Sequence, residues 1–462
     1  MTWVALPAVL AVVAGLVVLL ARRPLWAVAV VPLGAGVGPQ ALPGVPGNLN
    51  YAHVLVVVAV GAVLLSRLVL GDDRDWSRLR GAPAVAVGGT VVYGAAVAAS
   101  ALLSPFLSDY AGITITTLVG ILYAGCVLFV TRTTADLRLL LTCTAIGSFG
   151  STVPALLGGS QVRAQLAGAV VSGRAVGSFA DPNELGFYTA VTFFLSITLA
   201  VATERRSQRL VGIAASLACG AALVLSFSRL SWLAFTLGVV VLLFNRTFRR
   251  LIVARVVPAV VVPLLLAQAA GVALPFSTVV ARVSSLDGAV NPDDTRPEIW
   301  SEALRYFWER PLLGWGPGAY RSLNASPPSP IWANPVEHGH DGLLTTLAEE
   351  GAIGGVAVVV VAVALGLGLD RVRRARRKRR GTFGEEVRTD LLAYGLGTTA
   401  GVVLANLTVD YALRNAYVLV FVAMVAGLVA ALGLVPPPTT DRRPGGRRPA
   451  GREPAPTSRG TT

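Results

Sequence analysis

The residues of this chain best suited to chemistry are three arginines, two histidines and two aspartates: Arg174, Arg229, Arg296, His338, His340, Asp341 and Asp410. A guanidinium is a planar fork that binds phosphate or carboxylate through two hydrogen bonds at once. An imidazole takes up a proton near neutral pH and so can serve as a general base. Several of these groups fall within Asp293–Gly351, most of the longest polar insertion in an otherwise apolar sequence. Polar groups gathered at one place on a membrane protein are the first candidates for function.

Each group also has a plainer reading. Arg174 opens RAVGSFADPNELG, in which Asp181, Pro182 and Glu184 have the order of a helix N-cap, a first-turn proline and an N3 carboxylate. Arg229, in SFSRLSW, is either a snorkelling side chain in a tight turn or a guanidinium facing a polar cavity. Arg296 stands inside a T-x-x-E capping box, Thr295 to Glu298. A cation at that end opposes the helix dipole unless an anion joins it, which favours an anionic ligand there. Trp300, Leu304, Phe307 and Trp308 follow on one face, as on a helix lying along a membrane interface. His338 and His340 enter an apolar run as H-x-H; further ligands at metal-site spacing are missing, so no metal is expected. His340 is either a base or a structural polar residue. Asp410, in LTVDYALRN, either orients a base or pairs with Arg414, the pair being the simpler choice.

The elements that must position these groups follow from composition. Of 462 residues, 54% are hydrophobic and 14% charged, against about a quarter charged in a soluble protein. Mean hydropathy is +0.66. Apolar runs long enough to cross a bilayer recur from end to end, and they are continuous rather than alternating, which excludes a β-barrel. The fold class expected is all-α: a polytopic membrane helix bundle of about 12–13 transmembrane helices, with one large extracytoplasmic loop containing short helices. The membrane domain covers 1–435, with its loop at 271–338, and a Pro-, Arg- and Gly-rich tail at 436–462 is expected to be disordered and cytoplasmic.

Net charge is +14, carried largely by clusters such as Arg246–Arg250 and Arg371–Arg380 between apolar runs. With about thirteen spans nearly all of these clusters fall on one side, the cytoplasmic one. That disposition accounts for the charge without a nucleic-acid partner. It also places the candidate residues on the opposite, outer side. Cys126, Cys143 and Cys219 all lie within apolar runs and read as small core residues.

The order S-x-S-R-x-x-W (Ser226–Trp232), R-x-x-x-W (Arg296–Trp300), P-L-L-G-W-G-P-G-A-Y (Pro311–Tyr320) and H-D-x-x-L-x-x-L-A-E-x-G (His340–Gly351) resembles the O-antigen ligase and O-antigen polymerase superfamily. The likeness runs from about Arg174 to Gly355. It implies a glycosyltransferase that takes a glycan from undecaprenyl pyrophosphate and passes it to a sugar hydroxyl, without a metal or other cofactor and with inversion. The implied partners are the lipid-linked donor, a glycan or cell-envelope acceptor, and the plasma (inner) membrane itself. By the same resemblance His340 activates or orients the acceptor, while Arg296, Arg229 and Arg174 hold the pyrophosphate as it leaves. The family's usual Asn after this His is Asp341 here, a carboxylate that would raise the His pKa, and His338 is a second candidate for the base. Ligase and polymerase share this donor site.

Two other readings compete. A polyprenyl-phosphate mannosyltransferase-like enzyme needs acids in the first outer loop, and Gly38–Asn50 has none. A multi-pass transporter or flippase for a lipid-linked or anionic solute needs charges near the bilayer centre and paired halves. Here the charges lie at one face, and no internal repeat is evident.

Overall fold

Long runs of Ala, Val and Leu satisfy their own backbone hydrogen bonds only as helices when water is absent, and every apolar run among the described residues is helical. The computed structural model describes residues 5–36, 51–70, 81–158, 174–179, 181–269, 296–325, 339, 341–377, 384–407 and 416–434. In chain order the helices are α1 (Ala5–Ala21), α2 (Pro24–Ala35), α3 (Tyr51–Leu70), α4 (Ala82–Leu102), α5 (Leu107–Val130), α6 (Thr134–Leu156), α7 (Pro182–Ala202), α8 (Arg206–Ser226) and α9 (Arg229–Leu243). There follow α10 (Arg246–Leu251), a π-helical turn (Ile252–Val256), α11 (Val257–Ala269), α12 (Arg296–Glu309), α13 (Ala319–Ala325), α14 (Gly342–Arg377), α15 (Glu385–Leu407) and α16 (Ala416–Leu434). Among the described residues there is no strand.

Seven of these helices are long and apolar enough to cross a membrane, or eight if the pair on either side of Asn245, bent by 108°, forms one span. The protein is therefore an all-α polytopic membrane protein. Among the described residues α1, α2 and α16 contribute shorter apolar stretches, Val12–Ala21, Pro24–Ala35 and Val422–Leu432. α2 has 12 residues, about 18 Å at 1.5 Å per residue. α9 has 15 and turns sharply into α10. The first turns of α15 carry Glu385, Glu386, Arg388 and Asp390.

α7 is the centre of the bundle: 94% of its apolar window is buried, against α6, α8, α9 and α15. Helix starts are fixed locally. Thr133 and Asp136 form a reciprocal capping box on α6, and Asp181 caps α7 through the Asn183 N–H with Pro182 following, as the sequence pattern predicts. The two ends of the bundle differ in charge. One end holds Arg205, Arg206, Arg246, Arg249 and Arg250, all exposed, and an Arg388–Glu204 ion pair. The other carries the 270–341 connection and is called the loop end below. Within that connection, 270–295, 326–338 and 340 lie outside the described residues, as does the 435–462 tail.

Candidate functional site

The turn between α8 and α9 at the loop end is built from SFSR. Phe227 adopts φ +50°, a conformation costing a bulky residue on the order of 1–3 kcal/mol. Trp232 holds it there: its Nε1 donates to the Leu223 carbonyl at 2.8 Å, and its ring packs on Phe227 with centroids 5.9 Å apart. The S-x-S-R-x-x-W motif is thus first a way of making a tight corner.

That corner positions two arginines. Arg174 Nε donates to the Ser226 carbonyl at 2.8 Å, and Nη2 donates to Asn183 Oδ1 at 2.9 Å. The guanidinium therefore caps the C-terminus of α8, where a cation is favoured, and reaches the first turn of α7. Arg229 is the first residue of α9 and is partly buried. Among the described residues it has no hydrogen-bond or ion-pair partner. Gly186 lets α7 approach closely, since a Cβ there would lie 2.7 Å from Ser228 Cβ. The N-terminal ends of α7 and α9 thus meet near the Arg174 guanidinium, with Arg229 the first residue of α9, and both kinds of group favour an anion. A hydroxyl chain runs inward from the turn: Ser228 to Ser231 Oγ, and Ser231 to Asn406 Oδ1 on α15, each 3.1 Å. Below it an apolar cavity of about 420 Å³ follows α9 from Ala234 to Val241, between α14 and α15.

A second group forms where α14 breaks. Gly351 has φ +67° and ψ −166°, which divides α14 into a half-helix, 342–350, and a long arm, 352–377. The break removes partners from helix carbonyls and N–H groups, and the strap 311–318 replaces them. Trp315 and Gly316 N–H groups donate to the Ala348 and Glu349 carbonyls, at 3.1 and 2.8 Å. Ala352 and Ile353 N–H groups donate to the Pro311 and Leu312 carbonyls, at 2.7 and 3.3 Å. Contact this close requires glycine: a Cβ at Gly314 would meet the Glu349 backbone at 2.4 Å, and one at Gly351 the Leu312 carbonyl at 2.3 Å. The two resemblance motifs P-L-L-G-W-G-P-G-A-Y and L-A-E-x-G are therefore the two halves of one joint.

Glu349 ties the joint to the bundle. It is fully buried. Its carbonyl also accepts Ser100 Oγ of α4 at 2.6 Å, and its carboxylate accepts the Tyr320 N–H of α13 at 3.3 Å. α12 then packs along the half-helix. Ile299, Ala303 and Tyr306 are buried with Ala348 and Leu344, and Trp315 Nε1 donates to the Tyr306 carbonyl at 3.1 Å. Both helices end at the break. Burial pushes the Tyr306 phenol up to about 12, so it stays neutral.

Asp341 caps the half-helix, its Oδ1 accepting the Leu343 and Leu344 N–H groups at 2.8 Å each. Burial raises its carboxyl above the usual range, and these two N–H groups offset part of the rise. Gly339 is anchored to the same turn through Thr345 Oγ1, at 3.2 Å.

The structure thus arranges the sequence candidates as two groups. Arg174 and Arg229 share the α8–α9 corner; Asp341 and the backbone of Arg296 open two packed helices. His338, His340 and Asp410 lie outside the described residues, as does Arg414. Asn183, Asn406 and Glu349 were not singled out from sequence, although a buried Asn in an apolar helix and adjacent acids at a membrane mouth are visible signals. Among the described residues no cluster of His, Cys, Asp or Glu could hold a metal ion.

No curated protein matches the chain. Residues 214–359 match a family model described as O-antigen ligase. The matched segment takes in the α8–α9 corner, α12, the strap and the break in α14. The chain is thus an all-α polytopic membrane protein whose residues 214–359 are similar to the O-antigen ligase family.

Proposed function

We propose that the protein transfers a glycan from an undecaprenyl-pyrophosphate-linked donor to a sugar hydroxyl at the outer face of the cell's plasma (inner) membrane, as a surface-polysaccharide ligase or polymerase. The observation that carries this reading is the α8–α9 corner, where the Arg174 guanidinium caps α8 and reaches the first turn of α7 while Arg229 opens α9, a set of groups suited to pyrophosphate. The apolar cavity below it, lined by α9, suits the donor's hydrocarbon chain. Arg296, at the start of α12, is the third pyrophosphate contact in this proposal.

The acceptor oxygen attacks the anomeric carbon as the bond to pyrophosphate breaks, with inversion. His340 takes the hydroxyl proton. Undecaprenyl pyrophosphate leaves with the bonding pair, and the arginines stabilise its charge, which preorganised donors do well. The reaction needs no metal. Asp341, next in sequence to His340, favours the protonated imidazole when ionised.

The test uses full-length protein in liposomes with an undecaprenyl-pyrophosphate oligosaccharide, wild type beside His340→Ala, with products read by mass spectrometry. A ladder of repeats from the wild type alone identifies a polymerase, and one transfer to an added acceptor a ligase. Full activity in His340→Ala removes the histidine from the mechanism. Movement of the glycan between leaflets with no new bond would replace the reading with a transporter.

A further inference from the structure

α12 has three faces rather than two. Successive residues advance by about 100° around a helix. Ile299, Ala303 and Tyr306 form the face buried on α14. Arg305, Glu298 and Glu309 form an exposed polar face, with an Arg305–Glu309 ion pair at 3.3 Å. Between these lies an exposed apolar face of Trp300, Leu304 and Trp308, the last 72% exposed.

This face continues beyond the helix. Leu312, 67% exposed, is joined to α14 by the bond from the Ile353 N–H to its carbonyl, 3.3 Å long. Ile353 is itself exposed and begins the outward row Ile353, Val356, Val360, Val363, Leu367 on the long arm of α14. In a membrane-spanning helix such a row faces lipid. The strap after α12 therefore leads from its exposed apolar face to a row that a membrane-spanning helix turns to lipid.

We infer that α12 is an interfacial helix, with Trp300, Leu304 and Trp308 seated among the lipid headgroups and upper acyl chains and Arg305 and Glu309 turned to water. The two tryptophans suit that layer, where an apolar ring with one polar N–H is favoured. The partner is the protein's own bilayer, not a second protein. The consequence is geometric: with its end held at the α14 break and its flank held by lipid, α12 keeps Arg296 at headgroup height. The inference stands without any particular reaction.

The experiment places a polarity-sensitive fluorophore on Trp308→Cys and, separately, on Glu309→Cys in full-length protein reconstituted in phosphatidylcholine–phosphatidylglycerol vesicles. The native cysteines are buried, and unlabelled wild type controls for them. Expected are a blue-shifted emission at 308, quenching by lipids brominated high on the acyl chain and protection from aqueous iodide, with iodide quenching at 309. Iodide quenching at 308 as strong as at 309 overturns the inference. Protection at 308 that appears only at high protein density assigns the face to a second copy instead. Protection that appears only when oligosaccharide is added makes it a sugar platform, and also overturns it.

Discussion

At the scale of single residues, what separates the arginines is how much of each is already committed. Arg174 donates to a helix C-terminus and to Asn183, so part of its work is structural. Arg229 begins a helix, where a cation is unfavourable without an anion. Arg229→Lys keeps the charge and loses the fork, and transfer should fall by about a hundredfold, the usual cost of one transition-state donor. Purified variant assayed for turnover with unchanged melting temperature is the check, and near-wild-type turnover would reduce Arg229 to a turn residue. Asp341 is argued from its cap. Asn caps as well as Asp, whereas Asp341→Ala should cost about 1 kcal/mol. Because burial raises the Asp341 carboxyl, the native state holds that proton more tightly than the unfolded chain does. Its stabilising effect is present at low pH and is lost as pH rises through the raised pKa. Melting curves across pH should therefore move in favour of Asp341→Asn as pH increases; a constant gap would contradict the assignment.

At the scale of elements, the broken α14 and the strap are one unit. Four backbone hydrogen bonds span the break, and Gly351 has both a positive φ and no room for a Cβ. Gly351→Ala should destabilise the loop end by more than about 2 kcal/mol, from strain and overpacking together. Limited proteolysis would show new cleavage within 311–325 while the bundle stays folded. An unchanged pattern would mean that the half-helix does not depend on the strap. The same joint explains why glycine, rather than any small residue, recurs in G-W-G-P-G: Gly314, Gly316 and Gly318 all have positive φ.

At the scale of the whole molecule, the two ends of the bundle carry opposite duties. Arginines crowd one end, in keeping with a cytoplasmic face, while the candidate site lies at the other. A Cys at Arg250 should be unreactive to a membrane-impermeant maleimide in intact cells and reactive after permeabilisation, and one at Glu309 reactive in both. The reverse pattern would invert the topology and move the site to the cytoplasm.

Helix existence was legible among the described residues, because in an apolar medium a run of Val, Leu and Ala has no other way to pair its backbone. The N-cap at Asp181 was legible for a related reason, since caps depend on residues within one turn; the cap expected at Thr295 lies outside the described residues. What sequence left open needed contacts across the chain. Nothing local reveals that Pro311–Gly316 substitutes for the missing helix partners at Gly351, or that Ser100 reaches Glu349. Nor does local sequence say that Arg174, more than fifty residues before Arg229, reaches the corner that Arg229 opens, with Asn183 as its second partner. The short run from Pro24 was legible in length, but not its place beside α6, where Gly36 lies against Gly147. Residue types determined which chemistry was available; the break in α14, fixed by the distant strap, and the corner at Phe227, held within its own motif but met by Arg174 from far along the chain, decided where it is placed.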